Sequence, residues 1–257
     1  MYNSTELWQK ETSLPSIPTF CQNLDNLLGN EGVQLGSLTE VLGLPGTGKT
    51  QLCLQLCAAT QIPEVLGGLD AEALYIDTNT NFTICRYKEI LKASIAKCQR
   101  LLDDPTILNE EDALKRLHYV NAFGLEQFCT FMHCLPKLII EYPNIKLIVI
   151  DSITFPFKEG IEPRQRTGLL FRQMADLQRV ANEKQIAVVM TNEMSTRVGL
   201  SSGAEVGALG DAWGARCGAR LLLAGGRGRR ALLLKGAHNA GQAARFQITL
   251  DGIRDVE

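Results

Sequence analysis

The octapeptide Gly43-Leu44-Pro45-Gly46-Thr47-Gly48-Lys49-Thr50 fits the pattern GxxxxGK[ST], and its flanks fit as well. A strand-like run, Ser37 to Gly43, leads into it, and a helical pattern, Lys49 to Gln61, leads out. Glycines at 43, 46 and 48 let the backbone wrap closely enough for successive N–H groups to point at phosphate oxygens, and the helix behind them adds its positive end. Lys49 is then expected to reach the β- and γ-phosphates of a nucleoside triphosphate, and the Thr50 hydroxyl to bind Mg2+. An ordinary glycine-rich turn between strand and helix is the simpler alternative. The rarity of the whole pattern with these flanks favours nucleotide binding.

On either side of this loop, strand-length apolar runs alternate with longer helical patterns. Ala73 to Asp77 precedes a helical stretch from Ile84 to Leu102, Arg116 to Asn121 precedes Leu125 to Glu141, and Lys146 to Asp151 precedes Gly168 to Lys184, which leads into Ile186 to Asn192. Such alternation predicts an α/β fold with a parallel sheet covered on both faces. After Asn192 a Gly- and Ser-rich stretch, Val198 to Gly210, gives way to three strand-like runs, Arg220 to Ala224, Arg230 to Lys235 and Arg245 to Leu250, which predict an antiparallel extension of the same sheet. One domain, 20–257, is expected behind a short leader, 1–19. Leu147-Ile148-Val149-Ile150-Asp151 is an apolar run ending in an acid, as a central strand needs if its carboxylate is to reach a metal shell.

The bulk of the chain sets outer limits. At 257 residues and 45% apolar composition it has a full core, and its net charge of −2 excludes a histone-like nucleic-acid binder, so DNA contact must come from local basic segments. The eight cysteines are scattered, form no CxxC pair and read as reduced core thiols rather than a zinc site. The N-terminus, Met1 to Lys10, lacks an apolar signal region, and no run approaches the roughly 18 apolar residues of a membrane span, so no membrane association is expected.

Several strings together resemble the eukaryotic RecA-like recombinases, the Rad51 family, and its C-type paralog most closely. They are Thr39 to Gln61 with Ile62-Pro63-Glu64, Tyr75-Ile76-Asp77-Thr78, Leu147 to Ser152, Ala187 to Asn192 and Leu209 to Gly214; the C-type features are Gly46 to Cys53, Ser152 to Phe157 and Trp213-Gly214. The likeness runs from about Leu7 to Val256. It implies a RecA-type P-loop ATPase core that uses ATP and Mg2+, with Gly43 to Thr50 and Gln51 around the nucleotide and Asp151 beside Thr50 in the magnesium shell. It also implies that Arg86, in Phe82-Thr83-Ile84-Cys85-Arg86, stacks on the adenine, a use that suits a guanidinium. A solvated helix arginine is the alternative there.

Two positions depart from the family pattern. Where the recombinases carry Asp-Thr-Glu, with the glutamate activating the attacking water, this chain has Asp77-Thr78-Asn79. An amide cannot accept a proton, so general-base help is expected to be lost and hydrolysis slowed by about 10²-fold or more. In Thr191-Asn192-Glu193 the last residue replaces the usual glutamine that links the γ-phosphate to a DNA loop, and it would put a negative charge toward the phosphates unless protonated or turned away. Lys49, Asn79 and Glu193 are thus the candidate catalytic set.

The family's DNA loops correspond to Lys158 to Arg166 and Met194 to Gly203, which make Arg164, Arg166 and Arg197 the candidate contacts to single-stranded DNA, at modest affinity because aromatics are few. Alternatively these arginines only solvate mobile loops. Gly225 to Arg230 reads as a charged hairpin tip. The leader, with Leu7, Trp8 and Phe20, resembles the end of the family's interdomain segment, and the small helical domain ahead of it is expected to be absent. Lys235 matches the C-type lysine, whereas Gly236 to Asn239 departs from the acidic cap. Association with other recombinase paralogs is therefore expected rather than self-polymerisation, in the nucleus. The leading expectation is an ATP-binding paralog that assists homologous recombination in mitotic or meiotic repair. A scaffold subunit that holds ATP as a structural ligand is the alternative, favoured by Asn79 and Glu193. An unrelated P-loop enzyme, such as a nucleotide kinase or helicase, is disfavoured because no lid arginines or helicase motifs are present.

Overall fold

Leu38–Gly43, Ile145–Asp151 and Ala187–Asn192 are apolar almost without alternation because both of their faces are covered. The structure, a computed structural model, describes residues 3–5, 13–29, 31–104, 106–158, 162–196, 205–226 and 228–256. In chain order the elements are β1 (Ser16–Ile17), α1 (Gln22–Leu28), β2 (Val33–Gln34), β3 (Leu38–Gly43), α2 (Lys49–Thr60), β4 (Glu72–Asp77), α3 (Ile84–Leu102), α4 (Glu110–Lys115), β5 (Leu117–Asn121), α5 (Gly124–Glu141), β6 (Ile145–Asp151), α6 (Pro163–Lys184), β7 (Ala187–Asn192), β8 (Met194–Thr196), β9 (Glu205–Gly207), α7 (Asp211–Gly214), β10 (Ala219–Ala224), β11 (Arg229–Lys235), β12 (Ala243–Thr249) and β13 (Gly252–Arg254).

Among the described residues, nine strands form the main sheet in the order β13-β12-β11-β10-β3-β7-β6-β4-β5. From β10 to β5 neighbours are parallel, and β11, β12 and β13 add on antiparallel, so the α/β reading with its antiparallel C-terminal extension holds. Successive residues of β6 serve opposite layers. Leu147 and Val149 pack with Leu52 and Leu56 of α2 and Ile90 of α3, while Ile148 and Ile150 pack with Phe128 of α5 and Met174 and Leu177 of α6. Helix α2 is buried at every position from Leu52 to Thr60, so it is core all round and shows no polar stripe.

This topology gathers the polar ends of the strands. Pairing of Leu42 with Asn192 and of Asp77 with Asp151 puts the carboxyl ends of β3, β7, β6 and β4 side by side, the edge of an open parallel sheet where ligands bind.

The structure departs from the sequence reading in several places, and one is that β10, the first run expected in the antiparallel extension, joins β3 in parallel. Helix α6 starts at Pro163 rather than at Gly168, because proline suits the first helical position after the extended Glu162. Arg164 and Arg166 therefore lie in a helical first turn and not in a loop. The Gly- and Ser-rich connector contains β9, which pairs antiparallel with β8. The end of the leader is built into the body: Ser16 and Ile17 pair with Gln34 and Val33, and Ile17 is fully buried. Phe20 lies under the cations of Lys97 and Arg254, while Leu7 and Trp8 fall outside the described residues. Most cysteines are buried, with Cys85 and Cys134 exposed, and no disulfide or metal-binding cluster exists among the described residues. No described helix is long and apolar enough to cross a membrane.

Candidate functional site: a nucleotide cleft

Gly43 ends β3 at φ 155°, and a Cβ there would stand 2.5 Å from Thr47 Oγ1 and 2.6 Å from the Leu223 carbonyl. The close turn into the loop admits only glycine. Gly48, at φ 110°, opens α2 and lies against Ile248 of β12. Within the loop, the Thr47 hydroxyl donates to the Leu44 carbonyl at 2.8 Å. Lys49 Nζ donates to the carbonyls of Gly43, at 2.6 Å, and Leu44, at 3.1 Å. Burial holds its ammonium below the ordinary lysine range, and the charges of Asp151 and Glu193 partly offset this.

Asp151, at the end of β6, is almost fully buried and takes three hydroxyl donors. Thr50 Oγ1 and the Tyr75 phenol each donate to Oδ2 at 2.7 Å, and the Thr191 hydroxyl donates to Oδ1. Burial and the neighbouring Asp151 charge push the Tyr75 phenol well above its usual range, so it stays protonated and can only strengthen this knot as a donor. A hydroxyl and a carboxylate in contact beneath a glycine cradle are hard oxygen donors of the kind Mg2+ takes. The residues fit that ion.

The Asn79 side is organised by another buried acid. Asp77 accepts the backbone N–H groups of Asn79 at 3.1 Å, Asn81 at 3.2 Å and Phe82 at 3.0 Å, plus the Tyr119 hydroxyl at 3.2 Å. Those bonds fix the turn that presents Asn79. A cleft of about 610 Å3 results, lined among others by Lys49, Thr50, Asn79, Asp151, Glu193 and Arg229. A larger cavity of about 890 Å3, bordered by Pro15, Phe20, Asp25, Leu66 and Lys97, includes no residue of the phosphate loop.

Beneath Glu193, the fully buried Glu40 of β3 accepts from Asn192 Nδ2 at 2.6 Å and from Arg220 Nε at 2.5 Å. Glu193 itself pairs with Lys158, Oε2 to Nζ 2.6 Å. The negative charge expected at this position is thus neutralised by a lysine.

Arg86 does not line the cleft. Its guanidinium donates to Gln51 Oε1 at 2.8 Å, to Glu89 at 2.7 Å and to the carbonyls of Leu250 and Thr249 at 2.7 and 2.6 Å, which fastens the β12–β13 turn to α2 and α3. Arg164 is exposed, whereas Arg166 Nη2 donates to the Ala208 carbonyl at 3.4 Å. Arg197 lies outside the described residues.

Sequence reasoning missed several residues in or beside the cleft, Asn81 and Ile248 of its lining among them. Tyr75 and Thr191 were read as strand residues, and their period-2 positions facing Asp151 were the available signal. Arg229 was read as part of a hairpin tip, yet its Nη1 donates to the Gly46 carbonyl at 2.8 Å. Lys158 has no local signal that would pair it with Glu193.

A glycine cradle opening a helix, a threonine tied to a buried strand-end aspartate, and a parallel sheet with an antiparallel extension define a RecA-type P-loop core. The Rad51 family model matches residues 10–256, and the chain belongs to that family. It is 33% identical to DNA repair protein RAD51 homolog 3 of Cricetulus griseus, over 99% of this chain and 72% of that protein. It is 32% identical to the protein of that name from Dictyostelium discoideum, over 94% of this chain and 66% of the relative. DNA repair and recombination protein RadA of Aeropyrum pernix is 32% identical over 95% of this chain and 75% of its own length. The family acts in DNA repair and recombination, and its members bind ATP with Mg2+.

Proposed function

We propose that this chain is an ATP-binding recombinase paralog that assists homologous recombination, in mitotic or meiotic double-strand break repair, together with single-stranded DNA and other paralogs in the nucleus. The observation that carries the reading is the contact of Thr50 with Asp151 beneath the phosphate loop, with Asn79 across the same cleft. Gly43 to Gln51 would hold the triphosphate, and Thr50 and Asp151 would hold Mg2+, which supplies charge neutralisation at the phosphates. Asn79 can orient a water by hydrogen bonding but cannot take its proton. Slow turnover is the consequence.

Calorimetry with Mg-ATP, followed by turnover with and without single-stranded DNA, tests this on the purified chain. Micromolar or tighter ATP binding with weak hydrolysis supports it; no nucleotide binding overturns it. A second reading is favoured by the amide at Asn79 and by the Lys158–Glu193 pair. In it the chain is a scaffold subunit of a paralog complex that keeps ATP as a structural ligand. A complex recovered from cells at low salt that loses partners, but no turnover, when Lys49 is replaced supports the scaffold.

A further inference from the structure

We infer that Lys158 is a specificity-setting residue of the nucleotide site: by neutralising Glu193 it lets a cleft that carries an extra carboxylate accept the γ-phosphate. This rests on the ATP-binding reading above and says how the site tells a triphosphate from a diphosphate.

The backbone of Glu193 is held from two sides. Its N–H donates to Thr154 Oγ1 at 3.4 Å, and its carbonyl accepts the Ala208 N–H at 2.8 Å. The backbone position is thus fixed, and the side chain lines the same cleft as Lys49, Thr50 and Asp151. A bare carboxylate there would oppose a γ-phosphate, which carries charge of the same sign into the same space.

Lys158 closes the short 3-10 turn Phe155–Phe157 that follows β6, so the two members of the pair come from the ends of adjacent strands, β6 and β7. Its Nζ lies 2.6 Å from Glu193 Oε2 and 5.4 Å from the centre of the Phe155 ring. The pair is 46% exposed on the lysine and 28% on the glutamate, so solvent and salt weaken it. It is a modest, adjustable neutralisation rather than a buried lock.

The test is a double-mutant cycle on the affinity ratio for a non-hydrolysable ATP analogue against ADP, measured by calorimetry with Mg2+ on the full chain. Lys158→Gln leaves Glu193 unpaired and should lower the ratio by about tenfold at low salt, with most of the loss in the analogue. Glu193→Gln should raise the ratio. In the double variant, Lys158→Gln with Glu193→Gln, the loss should be largely rescued, because neutralising the carboxylate removes the need for the lysine. A role in fold alone predicts no rescue and equal losses for both nucleotides. Unchanged ratios in both single variants, or additive losses in the double variant, overturn the inference. If the unaltered chain binds neither nucleotide, the ATP-binding reading itself has failed.

Discussion

The two walls of the nucleotide cleft were built to different rules. On the phosphate-loop wall the residue types, the glycine conformations and the contact of Thr50 with Asp151 agree with triphosphate and Mg2+ binding. On the opposite wall, the Asn79 and Glu193 positions hold an amide that cannot be a base and a carboxylate paired with Lys158. Holding a nucleotide and consuming it are separate requirements, and the proposed function assigns the first to one wall and the second to the other. If that contrast is right, changes on the first wall should act on affinity and changes on the second on turnover and discrimination.

The largest expected effect breaks the first wall. Lys49→Ala removes the only described ammonium at the phosphate loop and should weaken Mg-ATP binding by about 100-fold, from charge-assisted bonds worth about 1.5–3 kcal/mol each. Calorimetry checks it, and undiminished affinity would show that the triphosphate sits elsewhere. Asn79→Glu probes the second wall. It should raise single-stranded-DNA-dependent turnover by at least about tenfold while leaving ATP affinity within a few-fold, since the new carboxylate can take the proton of the attacking water. A steady-state phosphate-release assay decides, and a wild-type rate near one per second would mean another group already does this work.

A smaller effect tests whether the phosphate-loop wall extends to β11. Arg229 ties the Gly46 carbonyl to the sheet extension at 2.8 Å, from a partly exposed position. Arg229→Ala should lower ATP and ADP affinity alike by about fivefold, roughly 1 kcal/mol, by loosening the loop rather than by removing a γ-phosphate contact. A loss confined to the ATP analogue would instead place Arg229 with the discriminating wall.

What the sequence revealed divides along the same line. The phosphate loop, the strand ending in Asp151 and the α/β alternation are local patterns, because glycine conformation and unbroken apolar runs report backbone shape and two-sided burial directly. The start of α6 was misjudged because its first turn, Pro163 to Arg166, is polar and carries no apolar period, although proline was the available signal. The pairing of Lys158 with Glu193 and of Arg229 with Gly46 could not be read at all. Each joins strand ends brought together only by sheet order, and no spacing along the chain records that.

The smallest effect concerns the arginines assigned to DNA, and the structure separates two that the sequence treated alike. With a net charge of −2, each arginine that reaches a phosphate should carry a visible part of a weak, salt-sensitive affinity. Arg164 is exposed on the first turn of α6 and free to do so. Arg166 also reaches the Ala208 carbonyl beyond β9 at 3.4 Å, so part of its donor capacity is already turned toward that segment. In fluorescence anisotropy with single-stranded DNA across a salt series, Arg164→Ala should therefore flatten the log–log slope by about one phosphate contact. Arg166→Ala should change the slope less and lower the melting temperature more. Replacing Arg164, Arg166 and Arg197 together should reduce the slope by up to about three contacts, with Mg-ATP affinity unaffected. Equal slopes for the triple variant and the unaltered chain would mean that these arginines only solvate the surface, and the scaffold reading would then gain over the DNA-binding one.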